Sequence, residues 1–131
     1  MTSTWSEQEL QTIGTEHDVV LASRRSDGSP GRGTTIWIVR VGDDVFVRSA
    51  HGRGNKWFAR ATAAGSGRIT IGDVSRDVVF EDVSNGASNA VDHAELDRAY
   101  HGKYDGKYPK EYIDPVVDEE SHGATLRLLP A

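Results

Sequence analysis

The 131-residue chain contains no cysteine, which excludes disulfides, thiolate-bound metals and cysteine nucleophiles. Long apolar runs are missing too. Nowhere do eighteen apolar residues follow one another, and the first twenty hold nothing like a signal peptide, so no membrane partner and a cytoplasmic location are expected. Positive charge is scarce: 15 Lys and Arg stand against 20 Asp and Glu, for a net charge of −5. A nucleic-acid backbone needs many cations at once, so no nucleic-acid partner is expected. No internal repeat or low-complexity tract divides the chain, and its length suits a single domain, 1–131, with one core.

The positive charge that is present is concentrated. Residues 45–60, "VFVRSAHGRGNKWFAR", hold Arg48, Arg53, Lys56 and Arg60 and no acid; setting these four aside leaves −9 on the rest of the chain. A local patch on an acidic protein fits a small anionic ligand better than a polyanion.

The elements around this stretch are readable from pattern. Ser6 and Glu9 form a capping box for a short first helix, with Trp5 placed to pack on Leu10. Residues 17–25 and 34–41 read as strands separated by turn chemistry, the second placing Thr34, Ile36 and Ile38 on one face and Thr35, Trp37 and Val39 on the other. A tight turn at Gly42–Asp44 leads into a strand over 45–49, and Asn55 caps a helix over 55–64. Strands over 68–72 and 76–83 make a second hairpin. The stretch "SNGASNA" reads as a loop, and Asp92 with Glu95 as a capping box for a helix running to about Tyr104. After it comes a loop rich in tyrosine, lysine and proline, and "ATLRLLP" returns as a final strand. Six strands and three helices joined mostly by hairpins close most simply as an α+β antiparallel barrel.

Alternation along 45–49 puts Val45, Val47 and Ser49 on one face and Phe46 and Arg48 on the other, so the strand ends with a guanidinium and a hydroxyl, both phosphate-ligand types. Gly52 and Gly54 let the backbone approach a ligand, and Arg53 and Lys56 add charge beside a helix start. Against this stands the common case of basic side chains that are merely solvated. Other chemistries have less support. "GRGNKW" lacks the third glycine and the parallel strands of a dinucleotide site. Ser49 and His51 have no orienting acid. His93 and His101 share a helix face but lie about 12 Å apart along its axis, too far for one metal ion.

The order "SRRSDGSP…TTIWIVR-GDDVFVRSAHGRGNKWFARA…GRITI" resembles the flavin-binding split-barrel superfamily, which includes pyridoxamine-phosphate oxidases and deazaflavin-dependent reductases. More narrowly, "IWIVRVGDDVFVRSAHGR", "KW", "RDVVFEDV", "KYPKEYI" and "ATLRLLP" are similar to the bacterial family catalogued as domain of unknown function 2255. The resemblance covers nearly the whole chain and implies a six-stranded antiparallel split β-barrel with flanking helices. It also implies a homodimer with FMN, or alternatively a deazaflavin, in a groove between subunits. Carried onto this sequence, the phosphate falls on Arg48, Ser49, Arg53 and Lys56, and the ring lies against Thr34, Thr35, Ile36 and Trp37. Hydride transfer to a small planar acceptor such as a quinone or enone is the implied reaction, with Trp37, His51, Trp57, Tyr100 and Tyr104 as substrate-side candidates. Those aromatics more often fill a core. The arginine that pyridoxamine-phosphate oxidases carry near the position of Thr35 is missing, so their substrate and full phosphate cradle do not carry over. A cofactor-free ligand-binding or tailoring protein in the same groove is the alternative.

Overall fold

The computed structural model describes residues 5–84 and 91–131. Along the chain run α1 (Glu7–Thr15), β1 (Asp18–Arg24), β2 (Pro30–Val41), β3 (Asp44–Arg48), α2 (Lys56–Ala64), β4 (Ser66–Ile71) and β5 (Val74–Asp82). Then follow α3 (His93–Tyr104), α4 (Lys110–Val117), α5 (Glu119–His122) and β6 (Thr125–Pro130). The strands form one closed antiparallel barrel in the order β1-β2-β3-β6-β5-β4. Closure removes every sheet edge except where one strand outruns its neighbour.

Local chemistry fixes the pieces. The Ser6 hydroxyl accepts from Glu9 N at 3.1 Å while the Glu9 carboxylate accepts from Ser6 N at 2.8 Å, closing the capping box that starts α1. Trp5 is buried in the same cluster as Leu10, and its indole N–H reaches Leu128 O at 3.2 Å. Two-residue turns, Gly42–Asp43 and Gly72–Asp73, make the β2–β3 and β4–β5 hairpins. At Gly67 a Cβ would fall 2.2 Å from Ala22 O, so only glycine lets β4 close against β1 there.

Strand parity divides the apolar residues between two cores. Val19, Leu21, Ile38, Val45, Val47, Ile69, Ile71, Leu126 and Leu128 fill the barrel together with Leu10 and Ile13 of α1 and Trp57, Phe58 and Ala61 of α2. The opposite faces of β2 and β3, represented by Val39 and Phe46, pack under Leu96, Tyr100 and Tyr104 of α3 and Ile113 and Val116 of α4. The alternation expected for 45–49 is therefore present. Its outer face, however, is covered by helices.

That cover includes the main departure from the expected architecture. The tyrosine-, lysine- and proline-rich segment after Tyr104 contains helices α4 and α5, so among the described residues five helices flank the barrel, not three. Pro109 sits at the N-cap of α4 and Pro115 lies inside it. An interior proline normally signals a break, which concealed the Ile113, Val116 and Val117 stripe. β2 also begins at Pro30, four residues before the expected start. The expected 84–90 loop, apart from Ser84, lies outside the described residues.

Candidate functional site

β2 is longer than its partner. It pairs with β1 from Asp18↔Trp37 through Arg24↔Pro30, but with β3 only from Ile38↔Val47 to Val41↔Asp44. Arg48 pairs with Thr125 of β6, so on the β3 side residues 30–37 of β2 have no strand beside them. The outward-pointing N–H and C=O groups of that edge are open to a ligand. Beside this edge lies a groove of about 420 Å³ lined by Thr35, Ile36, Trp37, Arg48, Ala50, Asn55, Trp57, Tyr108, Tyr112 and Val116. Four of the ten are aromatic, which suits a flat ring.

Trp37 is held in place from behind. Its ring stacks on Tyr104 at 4.1 Å and 6° and meets Tyr108 at 4.8 Å. Tyr104 is in turn locked: its hydroxyl donates to His17 O at 2.6 Å and accepts from Ile38 N at 3.1 Å. Burial pushes the Tyr104 phenol well above its usual pKa and does the same to Tyr100. Lys103 crosses from the α3 side to donate to Ile13 O at 2.7 Å and Ile38 O at 2.8 Å, and desolvation lowers its pKa to about 8.

Arg48, the leading phosphate candidate from the sequence, has another task. Its side chain is fully buried and each of its five N–H groups has an acceptor inside the chain. Nε bonds Thr125 Oγ1 at 3.3 Å; one terminal nitrogen bonds Asp97 at 2.6 Å and Val116 O at 2.9 Å; the other bonds His93 Nδ1 at 2.9 Å and His93 O at 3.3 Å. The guanidinium thus fastens α3, α4 and β6 to the end of β3. His122 joins the cluster, its Nε2 2.9 Å from Asp97 and its ring stacked on His93. Desolvation first, and the Arg48 charge second, lower the His93 pKa and keep it a neutral acceptor. A phosphate could not bind Arg48 without breaking this cluster.

The other loop candidates separate in the same way. The Ser49 hydroxyl is buried, donating to Gly52 O at 2.5 Å and accepting from Asn55 Nδ2 at 2.8 Å. Asn55 stands at the N-cap of α2, as expected, yet its side chain turns back to Ser49 and Ala50 instead of capping the helix. Arg53 reaches Gly123 O at 2.8 Å and Asp82 at 3.0 Å, stapling the loop to β5 and to the approach to β6. Of the four phosphate candidates only Lys56, exposed on the first turn of α2, has no side-chain hydrogen-bond partner among the described residues. His51 lies at the exposed loop tip with φ 66°, away from the groove lining.

Of the twelve candidates, then, the fold brings Thr35, Ile36, Trp37, Arg48 and Trp57 to one groove. Thr34, Ser49, His51, Arg53, Lys56, Tyr100 and Tyr104 do not line it. Tyr100 and Tyr104 have no exposed surface; Tyr104 stacks on Trp37 from the core side and Tyr100 stacks on Tyr104. Tyr108 and Tyr112 were missed as groove residues. Their signal was the i, i+4 spacing in "KYPKEY", obscured by reading that stretch as a loop. His93 and His101, too far apart for one metal ion, bond Arg48 in the first case and Asp105 in the second.

No helix of the described residues is long and apolar enough to cross a membrane. No curated protein matches the sequence. Among solved structures, a conserved hypothetical protein of Mycobacterium tuberculosis matches with TM-score 0.61 at 19% identity, covering 96% of this chain and 81% of that one. A protein described as an F420 reductase matches with TM-score 0.62 at 14% identity over 97% and 96% of the two chains. A putative pyridoxamine 5′-phosphate oxidase from Listeria innocua matches with TM-score 0.56 at 12% identity over 95% and 90%. At such identities the likeness is one of fold, and the fold is the split barrel. A family described as "Uncharacterized protein conserved in bacteria (DUF2255)" matches residues 9–128, and the chain belongs to that family.

Proposed function

We propose that the groove beside β2 binds the ring of a flavin, FMN in the first place and a deazaflavin in the second, and that the protein is an oxidoreductase acting on a small planar acceptor such as a quinone or enone. The observation that carries this reading is the unpaired edge of β2 at residues 30–37 running beside an aromatic groove. A flavin ring is flat and carries donors and acceptors along one rim, so it can stack on Trp37 while that rim hydrogen-bonds the free strand edge. The described F420 reductase and pyridoxamine 5′-phosphate oxidase, which share the fold, support the choice of ring.

When bound, such a ring would supply two-electron chemistry toward a planar acceptor, held by Trp37 and the free edge of β2. The chain's own residues bind, orient and shield. Trp37, fixed by Tyr104 and Tyr108, sets the ring plane; Ala50 and Val116 keep water from the floor; Trp57 and Tyr112 flank the opening. Tyr112 is 60% exposed, an unusual state for a tyrosine beside a groove. A homodimer that laid a second copy over it would complete the site.

The test is a titration with riboflavin and with FMN, followed by quenching of tryptophan fluorescence, since two of the three tryptophans line the groove. Saturable binding at one ring per chain is expected, weakened at least tenfold by Trp37→Ala, with a dimeric mass by light scattering. If neither compound binds, and a deazaflavin titrated in the same way does not bind either, the flavin reading is overturned. A second reading, a cofactor-free protein that binds a neutral planar molecule, draws on one observation: Arg48 and Arg53 are both engaged within the chain. Stoichiometric flavin in protein purified from its own host would exclude it.

A further inference from the structure

Among the described residues a second cavity is larger than the aromatic groove. It encloses about 720 Å³ and is lined by Ser23, Arg24, Arg25, Ser26, Gly31, Arg32, Arg60, Ala63, Ala64 and Ser66. Four guanidinium groups and three hydroxyls surround it, and no carboxylate lines it. Among the described residues Arg48, Arg53, Arg68, Arg76 and Arg127 each hold a carboxylate. Among the described residues the side chains of Arg25, Arg32 and Arg60 have no ion-pair partner and no hydrogen-bond acceptor, although the Arg25 charge is felt by the neighbouring Asp27 carboxylate. Arg24 bonds Gly28 O at 3.0 Å and leans toward Asp77 at 3.7 Å, so it belongs to the rim.

The backbone builds this concavity. β1 and β2 slip register between Ala22↔Gly33 and Arg24↔Pro30, so Gly31 and Arg32 together face Ser23 alone. Such a bulge bends its strand and re-aims side chains. Gly31 is required there, because a Cβ would stand 2.7 Å from Ser23 O. From the other side α2 contributes Arg60, one turn past the groove residue Trp57. Clustering like charges around a hollow is unfavourable unless an anion is taken up, and on a chain of net charge −5 the field is local.

We propose that Arg25, Arg32 and Arg60 form a binding site for a multiply charged phosphate-type anion, separate from the loop at 48–56. Arg forks match phosphate oxygens in pairs, and the hydroxyls of Ser23, Ser26 and Ser66 can complete the shell. The volume admits more than a single phosphate, as in pyrophosphate or the phosphate-bearing end of a larger molecule. Both cavities lie along the same two elements. Arg32 precedes Thr35 by about 10 Å of strand and Trp57 precedes Ala63 by about 9 Å of helix. The anion can therefore be free, or it can be the tail of whatever occupies the groove. The site itself does not depend on the flavin reading.

The probe is inorganic pyrophosphate, titrated calorimetrically at low salt into the whole chain. Saturable binding is expected, weakened tenfold or more by Arg32→Ala with Arg60→Ala and by moderate salt, and unchanged by Trp37→Ala. Both arginines lie at the surface, so the double variant should melt within a few degrees of wild type; Arg60→Glu on the helix surface is the second variant, expected to abolish binding. FMN binding more tightly than riboflavin, with that advantage lost in the double variant, identifies the anion as a tail from the groove. Equal FMN and riboflavin affinities, with pyrophosphate bound alongside riboflavin, identify a free anion. Absence of saturable pyrophosphate binding, or binding indifferent to both variants, overturns the proposal.

Discussion

Arg48 and Arg60 lie twelve residues apart in one basic stretch, and tertiary structure gives them opposite surroundings. Arg48 ends a strand whose outer face is roofed by α3 and α4, and it is buried with five acceptors around its five donors. Arg60 stands on the exposed side of α2, faces Arg25 and Arg32 across a cavity, and has no acceptor among the described residues. Identical side chains thus serve cohesion at one end of the stretch and leave charge available at the other. A buried arginine is already neutralised and cannot recruit an anion; an unpaired one at a concave surface can.

The largest effect should come from breaking the buried member of the pair. Arg48→Ala would leave Val116 O and the His93 carbonyl without their donor and Asp97 with His122 alone, and removal of one partner from a buried ion pair costs about 3–5 kcal/mol. Urea denaturation should show that loss, against no more than about 0.5 kcal/mol for Arg60→Ala. Comparable stabilities for the two variants would dissolve the distinction.

Tyr104→Phe probes the same roof more gently. It keeps the stack on Trp37 but deprives Ile38 N and His17 O of their partner, for about 1–3 kcal/mol by the same measurement. A neutral result would mean that stacking alone holds α3 to β2.

Solvent pH reports on the roof as well. Lys103 releases its proton near pH 8 when folded and near 10.5 when unfolded, so between those values the unfolded chain binds more protons and stability rises with pH from this group. Above about pH 10 the sign reverses. Tyr100 and Tyr104 keep their protons when folded and lose them when unfolded, so stability then falls. Thermal melts from pH 7 to 11 should pass through a maximum, and Lys103→Met should remove the rising limb. The smallest effect belongs to Arg53→Ala: its ion pair with Asp82 is half exposed and contributes less than about 1 kcal/mol. A loss several times larger would place Arg53 with Arg48 as a structural anchor.

The sequence was legible wherever a short pattern carries its own physical cause. Ser6 and Glu9 announced α1, Asp92 located α3 by accepting from Ala94 N instead of through the expected box with Glu95, Asn55 marked the start of α2 without capping it, and alternation along 45–49 assigned each side chain to its face. In the groove, Thr35, Ile36, Trp37 and Trp57 were legible through the resemblance to the split-barrel superfamily, which implied them as ring-side and substrate-side residues. Tyr108 and Tyr112 were not, since Pro109 and Pro115 made a helix read as a loop.

By itself, then, the sequence determined the six strands, the first three helices and the barrel, because periodicity, capping and turn chemistry act over a few residues and do not depend on what lies opposite, while the family was carried by the resemblance of its motifs. Only the tertiary structure decided which arginines carry usable charge. That depends on acceptors 49, 68 and 77 residues away from Arg48 and on a bulge that turns Arg32 toward Arg60, and spacing along the chain does not encode such long-range pairing.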